Sequence, residues 1–229
     1  MQSTEKTFLS IGVLAFIALA LAWTWALVFA PTELHMGEVY RIIYVHVPSA
    51  FTAFFSAYVL LLFSIMALKK TNGSAAPLWA RSSAEIGLLF TVATLATGSI
   101  WGRPTWGVWW VWDARLTTTL ILALLFAGYL VLYQSLNPGP QRTKICAVLG
   151  ILIAADVPII YTSVYWWRTL HQPPSLMRPG GSTIAPEMVW TLLACLAVTL
   201  FVAGWLLTGR TRNLRLLEEL EKASYEQAS

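Results

Sequence analysis

Six long apolar stretches, separated by short polar segments, dominate the pattern of the chain. Most hold about 20 residues, the length at which an α-helix crosses the roughly 30 Å hydrocarbon core of a bilayer. Backbone polar groups in hydrocarbon must be satisfied within their own segment, so the stretches predict helices. They lie at residues 8–30, 47–68, 85–100, 116–136, 145–165 and 188–208. We therefore predict an all-α integral membrane protein, with a six-span membrane domain at 1–209 and a cytoplasmic tail at 210–229.

Composition supports the membrane class. The 229 residues are 57% hydrophobic and 11% charged, with a mean hydropathy of +0.65. The first stretch is longer than the 7–15 apolar residues of a signal peptide, and Glu5 beside Lys6 leaves its start barely positive. We expect it to be a retained transmembrane helix. The tail carries Leu214, Leu217 and Leu220 at helical spacing, which fits a short interfacial helix or a docking element for a cytoplasmic partner.

The distribution of Lys and Arg predicts the orientation. With six spans both termini lie on one side, and that side receives ten of the fifteen basic residues. The positive-inside rule then makes the termini cytoplasmic and turns the loops at about 31–46, 101–115 and 166–187 outward. The net charge of +4 follows from this bias and requires no nucleic-acid partner.

The outward loop after the third span is the most unusual segment. Residues 98–118 read GSIWGRPTWGVWWVWDARLTT, which is too broken by Gly and Pro for an ordinary spanning helix and too apolar for a solvated loop. Indole rings offer large flat apolar faces, so this loop suits a flat, partly apolar ligand. An aromatic belt is the alternative, although a belt spreads tryptophan over both interfaces. Its tryptophans are Trp101, Trp106, Trp109, Trp110 and Trp112.

All three histidines, His35, His46 and His171, are predicted on the outward side. His46 is expected one turn before the second helix or at its top, Pro48 in the first turn of that helix, and His171 just beyond the fifth helix. Neutral imidazole binds metals and can ligate haem iron axially, so two histidines flanking the tryptophans could hold a haem. Each could equally be an ordinary interfacial residue. Guanidinium groups pair with carboxylates and so could meet the haem propionates; the candidates are Arg103, Arg115, Arg168 and Arg178.

The run WGRPTWGVWWVWDARLTT resembles the tryptophan-rich WWD motif of the haem-handling proteins of cytochrome c biogenesis. The chain length, the six spans and the flanking segments YRIIYVHVPSA and WWRTLHQ most resemble the cytochrome c maturation protein C (haem exporter protein C) family. The motifs extend from about residue 40 to 172.

The resemblance implies that His46 and His171 are the two axial ligands of a haem b and that the tryptophan loop is its platform. It places the site at the periplasmic face of the bacterial inner membrane. It also implies a periplasmic haem chaperone as recipient, and as further partners an ABC ATPase with its membrane subunit and a small single-span accessory protein, besides membrane lipid. We expect Asp113, within the motif, to bond an indole N–H or to pair with Arg115, which would keep the loop rigid.

Other functions were weighed against this one. A b-type cytochrome that exchanges electrons with quinone usually has its histidines inside the helix bundle, where the chain has none. A subunit that conducts haem across the bilayer would need a polar lumen, for which Asp156 near mid-bilayer is the single hint; a structural role for Asp156 is the alternative. The sequence holds no Walker A motif and no nucleophile–base set, so we expect no enzyme, and ATP hydrolysis would belong to a separate chain.

Two smaller predictions concern packing. Arg81 and Glu85 are four residues apart at the entrance of the third span and are expected to pair. Cys146 and Cys195 lie at different depths, so we expect two free thiols that pack in the core.

Overall fold

The computed structural model describes residues 2–69, 74–172 and 184–228, and its helical architecture agrees with the all-α prediction. Six of its helices are long and apolar enough to cross a membrane. A short 3-10 helix, Glu38–Ile42, precedes the second of them. The six are α1 (Gln2–Phe29), α2 (Ile43–Lys69), α3 (Ala76–Trp106), α4 (Ala114–Ser135), α5 (Pro140–Trp166) and α6 (Pro186–Ala228).

The helices α2 to α5 pack around one apolar core. Leu60, Leu122, Phe126 and Ile153, one or two from each of α2, α4 and α5, are fully buried at its centre. Gly87 supplies the close approach of α3, because a Cβ at this position would lie 2.2 Å from the ring of Phe126. Short connections between successive helices alternate their directions, so the starts of α2 and α4 lie at the same end as the finish of α3 and α5.

The opposite end of the bundle holds both termini and an ion-pair cluster. Arg81 and Glu85 pair as predicted, with 3.3 Å between Nε and Oε1. Arg210 of α6 adds a second guanidinium to the same carboxylate, at 2.5 Å from Oε2. The Thr211 hydroxyl donates to Ser82 at 2.9 Å and joins α6 to α3 one turn away. The predicted pairing within α3 is therefore part of a larger contact between two helices.

Both predicted ends of the third span are wrong. The helix begins nine residues before residue 85, at Ala76, and it does not stop at residue 100 but continues to Trp106 and takes in the first part of the tryptophan segment. Pro104 is tolerated there since it lies in the last turn and leaves only the Ile100 carbonyl without its helical N–H. The tail is helical, as its leucine spacing predicts, and continues the sixth span without a break to Ala228.

Three buried side chains of α5 and α6 were subjects of prediction: two cysteines and one aspartate. Cys146 and Cys195 are both buried and free, as predicted. Asp156 is buried, and no hydrogen-bond partner reaches its Oδ2 among the described residues.

Candidate functional site

A cavity lies at the end of the bundle opposite the termini, and we call it the histidine cavity. It encloses about 850 Å³ of empty space, including the part that is open to the outside. Its walls come from α2, α3, the first turns of α4 and the segment after α5. Among its lining residues are His46, Gly98, Trp101, Trp106, Trp110, Arg115, Leu170 and His171.

His46 lies on α2, one turn after the helix begins, and not ahead of the helix as one reading of the sequence allowed. The 3-10 helix in front of α2 shifts the register, so Pro48 is the sixth residue of α2 and not in its first turn, which corrects the prediction. The Nδ1 atom of His46 lies 3.0 Å from Oγ1 of Thr97 on α3. Trp101 packs edge-on against the imidazole, with 5.7 Å between ring centroids.

His171 lies five residues beyond the end of α5 and is partly buried in the cavity wall. Its Nδ1 lies 2.8 Å from the carbonyl oxygen of Gln172. A carbonyl only accepts, so Nδ1 carries the proton and Nε2 keeps a free lone pair. Burial and the nearby Arg115 guanidinium lower the pKa of His171 to about 4, so the imidazole is neutral at physiological pH.

Two of the three histidines are therefore brought together in one cavity. The third, His35, is exposed in the loop after α1 and does not line it. The backbone N–H of His35 donates to Glu33 Oε2 at 2.8 Å, so this residue is part of a local turn.

The tryptophan segment is half helix and half loop. Helix α3 ends at Gly107, whose positive φ of 79° is a left-handed conformation that suits glycine and reverses the chain. The loop that follows is held against α3. Ser99 donates to the Trp109 carbonyl at 2.7 Å, and Arg103 donates to the Gly107 carbonyl. The prediction of a loop over the whole of 101–115 is thus wrong for residues 101–106, which end α3, and for residues 114 and 115, which begin α4.

The five tryptophans do not form one surface. Trp101 and Trp106, on α3, and Trp110, in the loop, line the histidine cavity. Trp106 lies 6.4 Å from His171 between ring centroids. Trp109 and Trp112 are 58% and 76% exposed and are not among the lining residues. The predicted platform therefore separates into three lining rings and two outer ones.

Asp113 joins two parts of the site. Its Oδ1 accepts from the Leu116 N–H at 2.8 Å and so caps the start of α4. Its Oδ2 accepts from the Leu170 N–H at 3.2 Å, next to His171 in the chain. The expectation that Asp113 bonds an indole or pairs with Arg115 is not what the geometry gives. An Asp just ahead of an apolar helix is a standard N-cap signal, which the sequence did contain.

Three N–H groups in the cavity wall are buried and without an acceptor across the described ranges. They are Nε1 of Trp101, Nε1 of Trp110 and Nη1 of Arg115. Unpaired buried donors are costly, so they mark a place where a ligand with acceptor groups would be stabilised. These donors, the three rings and the two imidazoles are groups that a flat ligand with acceptor groups at its edge could contact.

The remaining arginine candidates contribute less to this wall. Arg103 is exposed and bonded to its own loop, and Arg168 is exposed outside the lining. Arg178 lies outside the described residues. Thr97, Gly98 and Leu170 belong to the site but were missed, since none of them carries an ionisable or metal-binding group that would mark it in the sequence.

The chain is similar to known proteins over nearly its whole length. A family model described as "Heme exporter protein C" matches residues 1–226. The Heme exporter protein C of Haemophilus influenzae is 38% identical over 215 residues, which cover 94% of this chain and 87% of the relative. That of Bradyrhizobium diazoefficiens is 38% identical over 198 residues, with coverages of 82% and 75%. That of Escherichia coli K12 is 35% identical over 214 residues, with coverages of 91% and 84%.

Proposed function

Since the chain belongs to the Heme exporter protein C family, we propose that its histidine cavity binds haem b and presents it to a periplasmic haem chaperone. Membership of the family supports the broader role, haem handling in cytochrome c maturation by a multi-pass membrane protein. The observation that carries the finer proposal is the pair of imidazoles, His46 and His171, in the wall of one cavity.

Each lining group has a distinct task in this proposal. The imidazoles of His46 and His171 would be the two iron ligands, because both line the cavity and neutral imidazole is a common axial ligand of haem. The rings of Trp101, Trp106 and Trp110 pack against the macrocycle. Arg115, with its unpaired buried Nη1, pairs with a propionate. The bound molecule is cargo, so the residues hold it without forming a covalent bond to it.

The proposed location is the periplasmic side of the bacterial inner membrane, with both termini in the cytoplasm. Two observations support it. Ten of the fifteen Lys and Arg residues lie on the side of the termini. The histidine cavity lies at the other end of the bundle, so this orientation opens it to the compartment where a periplasmic chaperone resides.

The proposed partners follow from the same role. The recipient is the haem chaperone, and the assembly is an ABC-type complex with an ATPase, its membrane subunit and a small single-span protein, embedded in lipid. The name of the relatives, exporter, is the support for this assembly. The chain itself acts as a binding and transfer subunit and not as an enzyme, and ATP hydrolysis belongs to the separate ATPase.

The absorption spectrum of the purified full chain tests the ligand assignment. Wild type loaded with haem should give a six-coordinate, low-spin spectrum, and His46→Ala and His171→Ala should each give a five-coordinate or weakly bound haem. Added imidazole should restore six-coordination by filling the vacated position. His35→Ala is the matched control, because His35 is exposed and outside the cavity, and it should behave as wild type. A low-spin spectrum that persists in His171→Ala without imidazole, or rapid reduction of the iron by a quinol, would contradict the proposal.

A further inference from the structure

One face of α3 surrounds the His46 side chain. Oγ1 of Thr97 lies 3.0 Å from Nδ1, and the indole of Trp101 packs edge-on against the ring. Gly98 has no side chain, which leaves room on α3 for the imidazole ring beside Thr97 and Trp101. A Cβ built on Gly98 would lie 3.0 Å from Cε1 of the imidazole, closer than ordinary contact. The orientation of His46 is thus set by a neighbouring helix and not by α2 alone.

The hydroxyl of Thr97 has one proton, and its position follows from the surrounding acceptors. Oγ1 lies 2.7 Å from the Ala93 carbonyl oxygen and 3.2 Å from that of Thr94. A threonine hydroxyl within a helix commonly donates to a carbonyl three or four residues back, and both distances fit such a bond. With the proton placed there, Oγ1 faces His46 with a lone pair, and the 3.0 Å contact fits an imidazole that donates from Nδ1.

We propose that Thr97 is a positioning residue of the histidine cavity, which holds His46 as the Nδ1–H tautomer and leaves Nε2 as the free lone pair. The identity of the incoming group, haem iron, rests on the proposed function, whereas the tautomer does not. The assignment gives His46 the same protonation as His171, whose Nδ1 donates to the Gln172 carbonyl. Both imidazoles then offer Nε2, so neither needs to exchange a proton before it binds a metal.

The tautomer can be measured in the full chain without haem. The protein has three histidines, so ¹⁵N-histidine labelling and single His→Ala variants assign every ring nitrogen. Wild type should give a protonated Nδ1 and an unprotonated Nε2 at His46. Thr97→Ser keeps the hydroxyl and should preserve this pattern. Thr97→Val removes the hydroxyl and leaves the Thr94 carbonyl as a remaining acceptor near the ring, so the share of the Nδ1–H tautomer at His46 should fall.

Thr91→Val is the matched control for the valine change. Thr91 is on the same helix, and its hydroxyl makes the same bond to the carbonyl four residues back, at 2.6 Å from Gly87. It therefore reports the loss of a helix-internal bond and should leave His46 unchanged. An Nε2–H tautomer at His46 in wild type would overturn the proposal. This measurement on wild type tests the proposal even if the valine variant does not insert into the membrane. Equal shifts in Thr91→Val and Thr97→Val would overturn it too.

Haem titration then links the tautomer to binding. Loss of the group that orients a metal ligand typically costs 10–100-fold in affinity. We expect a loss of that order in Thr97→Val, rescue in Thr97→Ser, and no further loss when Thr97→Val is added to His46→Ala. A full loss in the His46→Ala background would overturn the proposal, since Thr97 would then act other than through His46. If wild type bound no haem, the proposed function would fail while the tautomer result stood by itself.

Discussion

Replacing Asp113 by asparagine should release His171 while leaving α4 capped. Asparagine is an N-cap residue as good as aspartate, so its one side-chain oxygen can still accept from the Leu116 N–H. Its other atom becomes an amide NH₂, which presents a donor to the N–H of Leu170. The bond of 3.2 Å that fixes the segment before His171 is therefore lost and replaced by a donor–donor contact.

The magnitude follows from that single bond. A net hydrogen bond contributes about 0.5–1.5 kcal/mol, and one to a charged group about 1.5–3 kcal/mol. The bond to Leu170 is exposed and not short, so we take the lower range. Because 1.4 kcal/mol corresponds to a tenfold change in an equilibrium constant, haem affinity should fall about 2- to 10-fold. The change Asp113→Ala loses the cap as well and should lower stability by about a further 1 kcal/mol.

Two measurements on the full chain check the reasoning. Amide hydrogen exchange without haem should speed up at Leu170 in Asp113→Asn, and haem titration should give the weaker affinity. The loss of affinity should disappear when the change is made in His171→Ala and persist in His46→Ala, because Asp113 acts through His171. An equal loss in both backgrounds would mean that Asp113 contacts the haem directly. Unchanged exchange at Leu170 would show that Asp113 does not hold the Leu170 N–H, and this would refute the proposed link to His171.

Further predictions concern the tryptophans, pH and topology. Trp110→Ala should weaken haem binding by about 0.5–1.5 kcal/mol beyond the area lost, while Trp112→Ala, at an outer ring, should have a smaller effect in the same titration. Haem retention should be flat from about pH 8 to 5.5 and fall toward pH 4, where the His171 imidazole becomes protonated and loses its lone pair; a midpoint near 6.5 would contradict the lowered pKa. A cysteine in place of Leu34, which is 97% exposed, should be labelled by an impermeant thiol reagent outside intact cells, and one in place of Asn137 should not; the reverse pattern would invert the orientation.

The number and approximate position of the helices could be predicted because one physical requirement dominates the sequence. A segment in hydrocarbon must be long, apolar and internally hydrogen-bonded, and six stretches meet that requirement. Helix ends obey weaker rules, and there the prediction was wrong. Trp106 ends α3 six residues late because one proline near a C-terminus costs a single bond, and Gly107, with its positive φ, is the true stop signal.

The candidate metal-binding and charged residues of the site could be predicted from the sequence, but the residues that orient them could not. His46 and His171 stand out in sequence, because metal-binding side chains are rare beside a membrane, whereas Arg115 was one of four candidate arginines. Thr97 and Leu170 could not be found, since their contribution comes from contacts to residues 51 and 57 positions away. Such pairs depend on how helices pack, and a helical pattern in one segment holds no information on the facing residue of another.

The tryptophan segment shows how one motif can serve two purposes. The five indoles lie close together in the sequence, which predicts one platform. The turn at Gly107 separates the two indoles on α3 from the three in the loop that follows. Trp101 and Trp106 are fixed by α3, and Trp110 completes the wall once the loop has folded back. Trp112 packs edge-on against Trp110, with 5.5 Å between centroids, and so buttresses a lining ring from outside. Its effect on a ligand should therefore pass through Trp110, and the double change Trp110→Ala with Trp112→Ala should cost less than the sum of the two single changes.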